Sequence, residues 1–146
     1  MLEGLLPETS YHYRVTATNA NGTTHGEDTT FTTLSNNAKL TTLVLGDGTL
    51  VPDFDSLTAH YLATVPHATS AVALTPTTEH PGASVTVDGS PVSSGAPSDL
   101  IPLEVGSRTI DTVVTAEDGI TTQTYGTTVT RLPESFVFNS AGDIPV

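Results

Sequence analysis

Asp47, Asp53 and Asp55 lie close together in a stretch rich in turn formers. Carboxylates on neighbouring loops are ordinary oxygen ligands for calcium, so metal chemistry would first be sought here. EF-hand ligand spacing is missing, however, and the joint Ser35-Asn36-Asn37 carries no acid. Short acids also make turns by bonding their own backbone, so these are read as acid-bearing turns and not as a metal site. His67, Glu79 and His80 offer imidazole and carboxylate groups of the kind transition metals take. No pair among them has a ligand spacing, and His80-Pro81-Gly82 reads as a turn. His12 and His25 read as surface polar positions.

Nucleophilic catalysis needs a serine on a strained elbow with a positioned base, and the chain contains no G-x-S-x-G run or equivalent. Gly46-Asp47-Gly48 precedes no helix whose N-terminus would cradle a phosphate. Spacing alone leaves paired carboxylates open, since any two of the 16 acids can converge in a fold. Asn21-Gly22-Thr23 matches a glycosylation acceptor but is turn chemistry first. An internal lysine-to-asparagine crosslink is disfavoured: Lys39 is the only lysine, and residues 121–131 contain no Asn or Asp. The expectation is a protein that is not an enzyme and has no cofactor and no metal.

The 146 residues carry 16 acids against 4 bases, a net charge of −12. A field of that sign repels phosphate backbones and anionic headgroups, which disfavours nucleic acid and membrane surfaces as partners. Charged residues make up only 14% and cysteine is absent, so neither disorder nor a disulfide scaffold fits. No apolar run approaches the ~20 residues of a membrane span. The start Met1-Leu2-Glu3-Gly4 lacks a signal-peptide pattern, which suggests a cytoplasmic protein or a fragment of a longer secreted chain.

The elements that would position any site all read as strands. In residues 2–33, Tyr11, Tyr13, Val15 and Ala17 alternate on one face, residues 19–26 are turn chemistry, and residues 27–33 return with Phe31. Residues 34–37 form a polar joint too short to decouple two modules. Beyond it, Leu40, Leu43 and Leu45 open a strand and residues 50–54 continue it as an irregular edge. Tyr61, Ala63 and Val65 alternate next. Val72 and Leu74 follow, ended by Pro76, and Val85 and Val87 precede an Asp88-Gly89 turn. Residues 90–99 read as a surface loop, and Ile101 and Leu103 as a short strand ended at Gly106. A long hairpin, residues 110–131, closes the series about Glu117-Asp118-Gly119, with Tyr61 and Tyr125 facing inward. Phe136 and Phe138 alternate as if starting another strand, so residues 133–146 are expected to be a linker or the start of a further module. About seven short strands without helical periodicity predict an all-β fold, a two-sheet sandwich or a barrel.

Two resemblances sharpen this. The run Leu6-Pro7-Glu8-Thr9-Ser10-Tyr11-His12-Tyr13-Arg14-Val15, with Gly22 and Thr30-Phe31-Thr32-Thr33, resembles the last two strands of a fibronectin type III domain. That implies Tyr11 as a tyrosine-corner residue, its hydroxyl bonded to the backbone upstream. Such a hairpin alone is marginal in water, and Tyr13, Val15 and Phe31 would expose an apolar face, so it is expected to pack on its own sandwich or on a second copy of the chain. Residues 38–132 resemble the cadherin-like β-sandwich modules of bacterial extracellular proteins. The landmarks are Leu40-Thr41-Thr42-Leu43, Val51-Pro52-Asp53-Phe54, Tyr61-Leu62-Ala63, Val85-Thr86-Val87-Asp88-Gly89, Val114-Thr115-Ala116-Glu117-Asp118-Gly119, Tyr125 and Val129. Thr112 and Thr127 stand at inward positions where that family usually has aliphatic residues, and their hydroxyls need partners.

The resemblances imply an immunoglobulin-like Greek-key β-sandwich with an extra N-terminal β-hairpin, divided as 1–34, 38–132 and 133–146. They imply a non-catalytic spacer or adhesion module of a larger secreted or cell-surface bacterial protein, with neighbouring domains of the same chain as partners. The alternatives are a module binding a glycan or a cell-surface protein, with or without calcium, and an accessory domain of an extracellular hydrolase.

Overall fold

The structure, a computed structural model, describes residues 3–134; the strand expected around Phe136 and Phe138 lies outside them. Thirteen strands and no helix are found there. The first hairpin comprises β1 (Ser10–Tyr13), β2 (Thr16–Asn19), β3 (Gly22–His25) and β4 (Thr29–Thr32). β1 pairs with β4 and β2 with β3, and between the two ladders Gly26 N–H donates to Val15 O at 2.7 Å. Residues 19–26 are thus not all turn. Asn19 pairs with Gly22, leaving only Ala20 and Asn21 between the strands, and Asn19 Oδ1 accepts the Asn21 N–H.

One layer of the sandwich is a five-stranded sheet ordered β10-β9-β12-β13-β6. Its members are β6 (His60–Val65), β9 (Ser84–Val87), β10 (Ser90–Val92), β12 (Gly106–Thr115) and β13 (Thr122–Arg131). All neighbours are antiparallel except β6, which runs parallel to β13. The other layer holds β5 (Leu40–Leu45) on β8 (Leu74–Thr78), and β7 (Ala71–Val72) on β11 (Ile101–Pro102). The chain alternates between layers until β12 and β13 close the large sheet. Leu43, Leu45, Val72 and Leu74 from one layer meet Tyr61, Val85, Ile110, Val114 and Val129 from the other in one core. Period-2 burial along β6 and β12 follows from the pleat. In β5 the apolar spacing breaks step, Leu40 then Leu43 then Leu45, and the register shifts between Leu40 and Thr42. A bulge there restores the inward face.

Three boundaries differ from the expectations. Pro76 does not end its strand: it is buried inside β8 opposite Leu43. Its carbonyl accepts the Gly95 N–H at 2.8 Å, on the side away from β5, so the missing proline N–H removes no bond of the β5 ladder. Residues 90–99 are not all loop, because Ser90–Val92 pair back on β9. The remainder lies along β8, with Ser94 and Ser98 hydroxyls accepting the Thr78 and Leu74 amides. Gly106 opens the long strand β12 and does not merely end its predecessor. Of residues 50–54, Val51 bridges to Leu62 of β6 and Phe54 packs against the core.

The first hairpin is expected to cover its apolar face with its own sandwich or with a second copy of the chain, and within the single chain the sandwich does not cover it. Phe31 lies between Tyr11 and Tyr13, with ring centroids 5.7 and 6.1 Å away, but Tyr13 is 52% and Val15 72% exposed. The tie to the sandwich is at the start of the hairpin, where Glu8 meets His80 at 3.1 Å. Leu6 N–H donates to the Tyr11 hydroxyl at 2.8 Å, the contact implied for that tyrosine.

Candidate functional site

The residues with chemical potential are scattered. Asp47, Asp53 and Asp55 are exposed, and Asp55 Oδ1 accepts the Leu57 N–H at 2.8 Å, as a turn-forming acid does. The backbone of Asp55 is held from the core: its carbonyl accepts the Tyr61 hydroxyl at 2.6 Å. The Tyr125 hydroxyl donates to Ser56 O at 3.0 Å and accepts the Leu40 N–H at 3.2 Å. Phe54 stacks on the Tyr61 ring at 5.7 Å and lies tilted against the Tyr125 ring at 5.8 Å. Both inward tyrosines therefore pin one loop, and burial pushes the Tyr125 phenol above its ordinary 10.0.

His67 contributes its carbonyl, which accepts the Arg131 guanidinium at 2.7 and 3.0 Å. Glu79 is exposed and His80 lies at the base of the first hairpin, so these three do not converge. Among the described residues no three or more of His, Cys, Asp and Glu come together to hold a metal ion. A shallow groove of about 220 Å³ runs past Leu43, Val44, Leu50 and Phe54, with Asp53 as its charged member. Its volume falls below the roughly 300 to 1,000 Å³ of ordinary ligand pockets.

What does converge is the junction between hairpin and sandwich. Ser35, in the middle of the expected polar joint, is fully buried. Its N–H donates to the Glu117 carboxylate at 3.0 Å, and its carbonyl accepts the Asp118 N–H at 3.0 Å. Ser35 Oγ accepts the Asn37 N–H. Close by, His80 Nδ1 accepts the Gly82 N–H at 3.1 Å, which leaves Nε2 as the protonated nitrogen of the neutral ring, 3.1 Å from Glu8. Gly82 lets the groups meet: a Cβ there would lie 3.0 Å from Glu117 Cγ and Cδ.

The turn itself is closed by its own hydrogen bonds. Gly119 takes φ +70°, Gly119 N–H donates to Ala116 O, and Asp118 accepts the amides of Ile120 and Thr121 and the Thr121 hydroxyl. Those three bonds hold the Asp118 carboxyl below its ordinary 3.8, the Thr121 hydroxyl contributing most. Sequence reasoning read this turn only as core closure. Ser35 and Glu117 are 82 positions apart, so no local spacing links them.

Fold and junction together define a two-layer immunoglobulin-like β-sandwich module whose incoming chain is built into its closing turn. Residues 27–132 match the family described as Cadherin-like beta sandwich domain, and the protein belongs to that family. Domains of this family are typically non-catalytic. A protein of Evansella cellulosilytica named "Putative membrane protein" is 43% identical over 95 residues, 65% of this chain. The chain spans 14% of that relative's length. No helix among the described residues is long and apolar enough to cross a membrane.

Proposed function

We propose that this chain is a non-catalytic spacer or adhesion module of a larger secreted or cell-surface protein. The observation that carries the reading is where the chain meets the sandwich. It arrives at Ser35, beside the turn of the β12–β13 hairpin, and departs after Arg131, which pairs with Gly106 at the hairpin's other end. Two ten-residue strands separate these poles, a span of about 30 Å at roughly 3.4 Å per residue. Neighbouring modules attached at opposite poles stand in line. A binding module or catalytic scaffold has no need of that geometry, whereas a spacer does. The relative's much greater length supports the same reading, since a chain of this size is a small share of it.

Both poles are fixed by side chains. Arg131 donates to His67 O and Leu103 O, and Leu132 N–H donates to Val65 O at 3.0 Å. A glycan array probed with and without calcium tests the proposal. Absence of saturable binding is the expected result; binding at millimolar affinity or better overturns the spacer in favour of the ligand-binding module.

A further inference from the structure

We propose that the turn carrying Glu117 and Asp118 is a mechanical latch, passing tension from the incoming chain at Ser35 directly into the central strands of the large sheet. The inference rests on the spacer reading, since only a module held between neighbours is pulled from both poles.

Without the latch, tension reaching Ser35 travels along the backbone to Leu40, the first residue of β5. That strand is a weak place to pull. It pairs with β8 alone, and its register is broken between Leu40 and Thr42. With the latch closed, Ser35 is held through both of its backbone groups, one by a carboxylate and one by an amide. Bonds to a charged acceptor are the stronger kind. The turn that holds it joins β12 and β13, each of which has a neighbour on both sides in the five-stranded sheet. β13 is also the strand from which the chain departs, so the tension runs down one central strand and spares the bulged edge.

The surroundings fit a device that holds this geometry. The Asp118 carboxylate is committed to the turn's own amides, while its backbone N–H donates to Ser35 O. The base of the first hairpin has a second tie, His80 Nε2 to Glu8 at 3.1 Å. Gly82 supplies the space in which Glu117 reaches across.

Constant-tension extension of the full chain held at its two ends tests the latch, alongside unfolding rates in urea extrapolated to zero tension and zero denaturant. Glu117→Ala removes the carboxylate; Gly82→Ala keeps every latch residue but crowds Glu117; Glu117→Gln keeps a hydrogen-bond acceptor. Loss of one charge-assisted bond predicts a lifetime under tension about tenfold shorter for Glu117→Ala. Gly82→Ala falls in the same direction, and Glu117→Gln stays nearer the wild type. The zero-tension unfolding rate changes by much less than the lifetime under tension. The proposal is overturned by an unchanged lifetime in Glu117→Ala, by equal factors with and without tension, or by a Gln variant no longer-lived than the Ala variant. Glycan binding would overturn the spacer reading and leave these lifetimes unaffected, so the two failures are told apart.

Discussion

The first and the closing hairpins use nearly the same materials and end in different states. Both are threonine-rich, and both carry cross-strand hydroxyl pairs, Thr18 with Thr23 at 3.0 Å and Thr109 with Thr128 at 2.9 Å. The difference is what lies on the other face. Ile110, Val114, Tyr125 and Val129 are buried under the opposite layer, whereas Tyr13 and Val15 meet solvent. Equal β-propensity thus yields a core in one case and an appendage in the other, because burial and not propensity supplies most of the stabilisation.

The comparison breaks most sharply under truncation. Ile110→Ala deletes a fully buried side chain and leaves a cavity, so it should cost about 2–5 kcal/mol in urea unfolding. Val15→Ala on the first hairpin should stay within about 0.5 kcal/mol, as surface changes do. A loss above about 1 kcal/mol from Val15→Ala would mean that the bare face is covered in solution.

A smaller effect separates the tyrosines. Tyr125→Phe keeps the buried ring but removes the hydroxyl that serves Leu40 N–H and Ser56 O. Leaving those backbone groups without a partner should cost about 1–3 kcal/mol. The corresponding Tyr11→Phe change loses one exposed bond, to the Leu6 amide, and should leave the unfolding midpoint of the sandwich unmoved.

The sandwich was legible wherever burial alternates locally: Tyr61, Ala63 and Val65 in β6, or Val85 and Val87 before Asp88-Gly89, whose φ values of +51° and +81° make it a two-residue hairpin turn. The second Asp-Gly, Asp118-Gly119, is built differently. Only Gly119 is left-handed there, in a four-residue loop between Ala116 and Thr121. Pro76 misled because its effect depends on which side of the strand its nitrogen faces, which only tertiary pairing decides. The junction was illegible for a similar reason. Glu117 reads as a turn residue until Ser35 is brought beside it, and that neighbour comes from the other end of the fold.

Thr112 and Thr127 offer a gain in place of a loss. Both are fully buried, and neither hydroxyl oxygen has a hydrogen-bond partner among the described residues. An orphan hydroxyl in the core costs free energy that an isosteric methyl does not. Thr112→Val should therefore stabilise by about 1 kcal/mol, which for a domain of this size raises the melting temperature by about 4–8 °C. Thr127→Val should act alike. The two sites flank Tyr125 on the same buried face, so their gains should fall short of additive. The same change at exposed Thr18 in the first hairpin removes a hydroxyl pair and gains nothing.

The finest distinction is electrostatic and concerns the turns. Three hydrogen bonds favour the charged form of Asp118, so its folded value lies below the unfolded 3.8. A carboxyl of that kind binds its proton more readily in the unfolded chain. Its contribution to stability is therefore present above pH 3.8 and fades as pH falls through the depressed folded value. Asp118 is only partly buried, so the change should be local. Amide exchange at Ile120 and Thr121, corrected for intrinsic rates, should accelerate through that acid range in the wild type and already be fast at neutral pH in Asp118→Ala. If Ser35 N–H also exchanges faster in Asp118→Ala at neutral pH, the turn and the joint form one unit; if it stays protected there, Glu117 holds the incoming chain without the Asp118 turn.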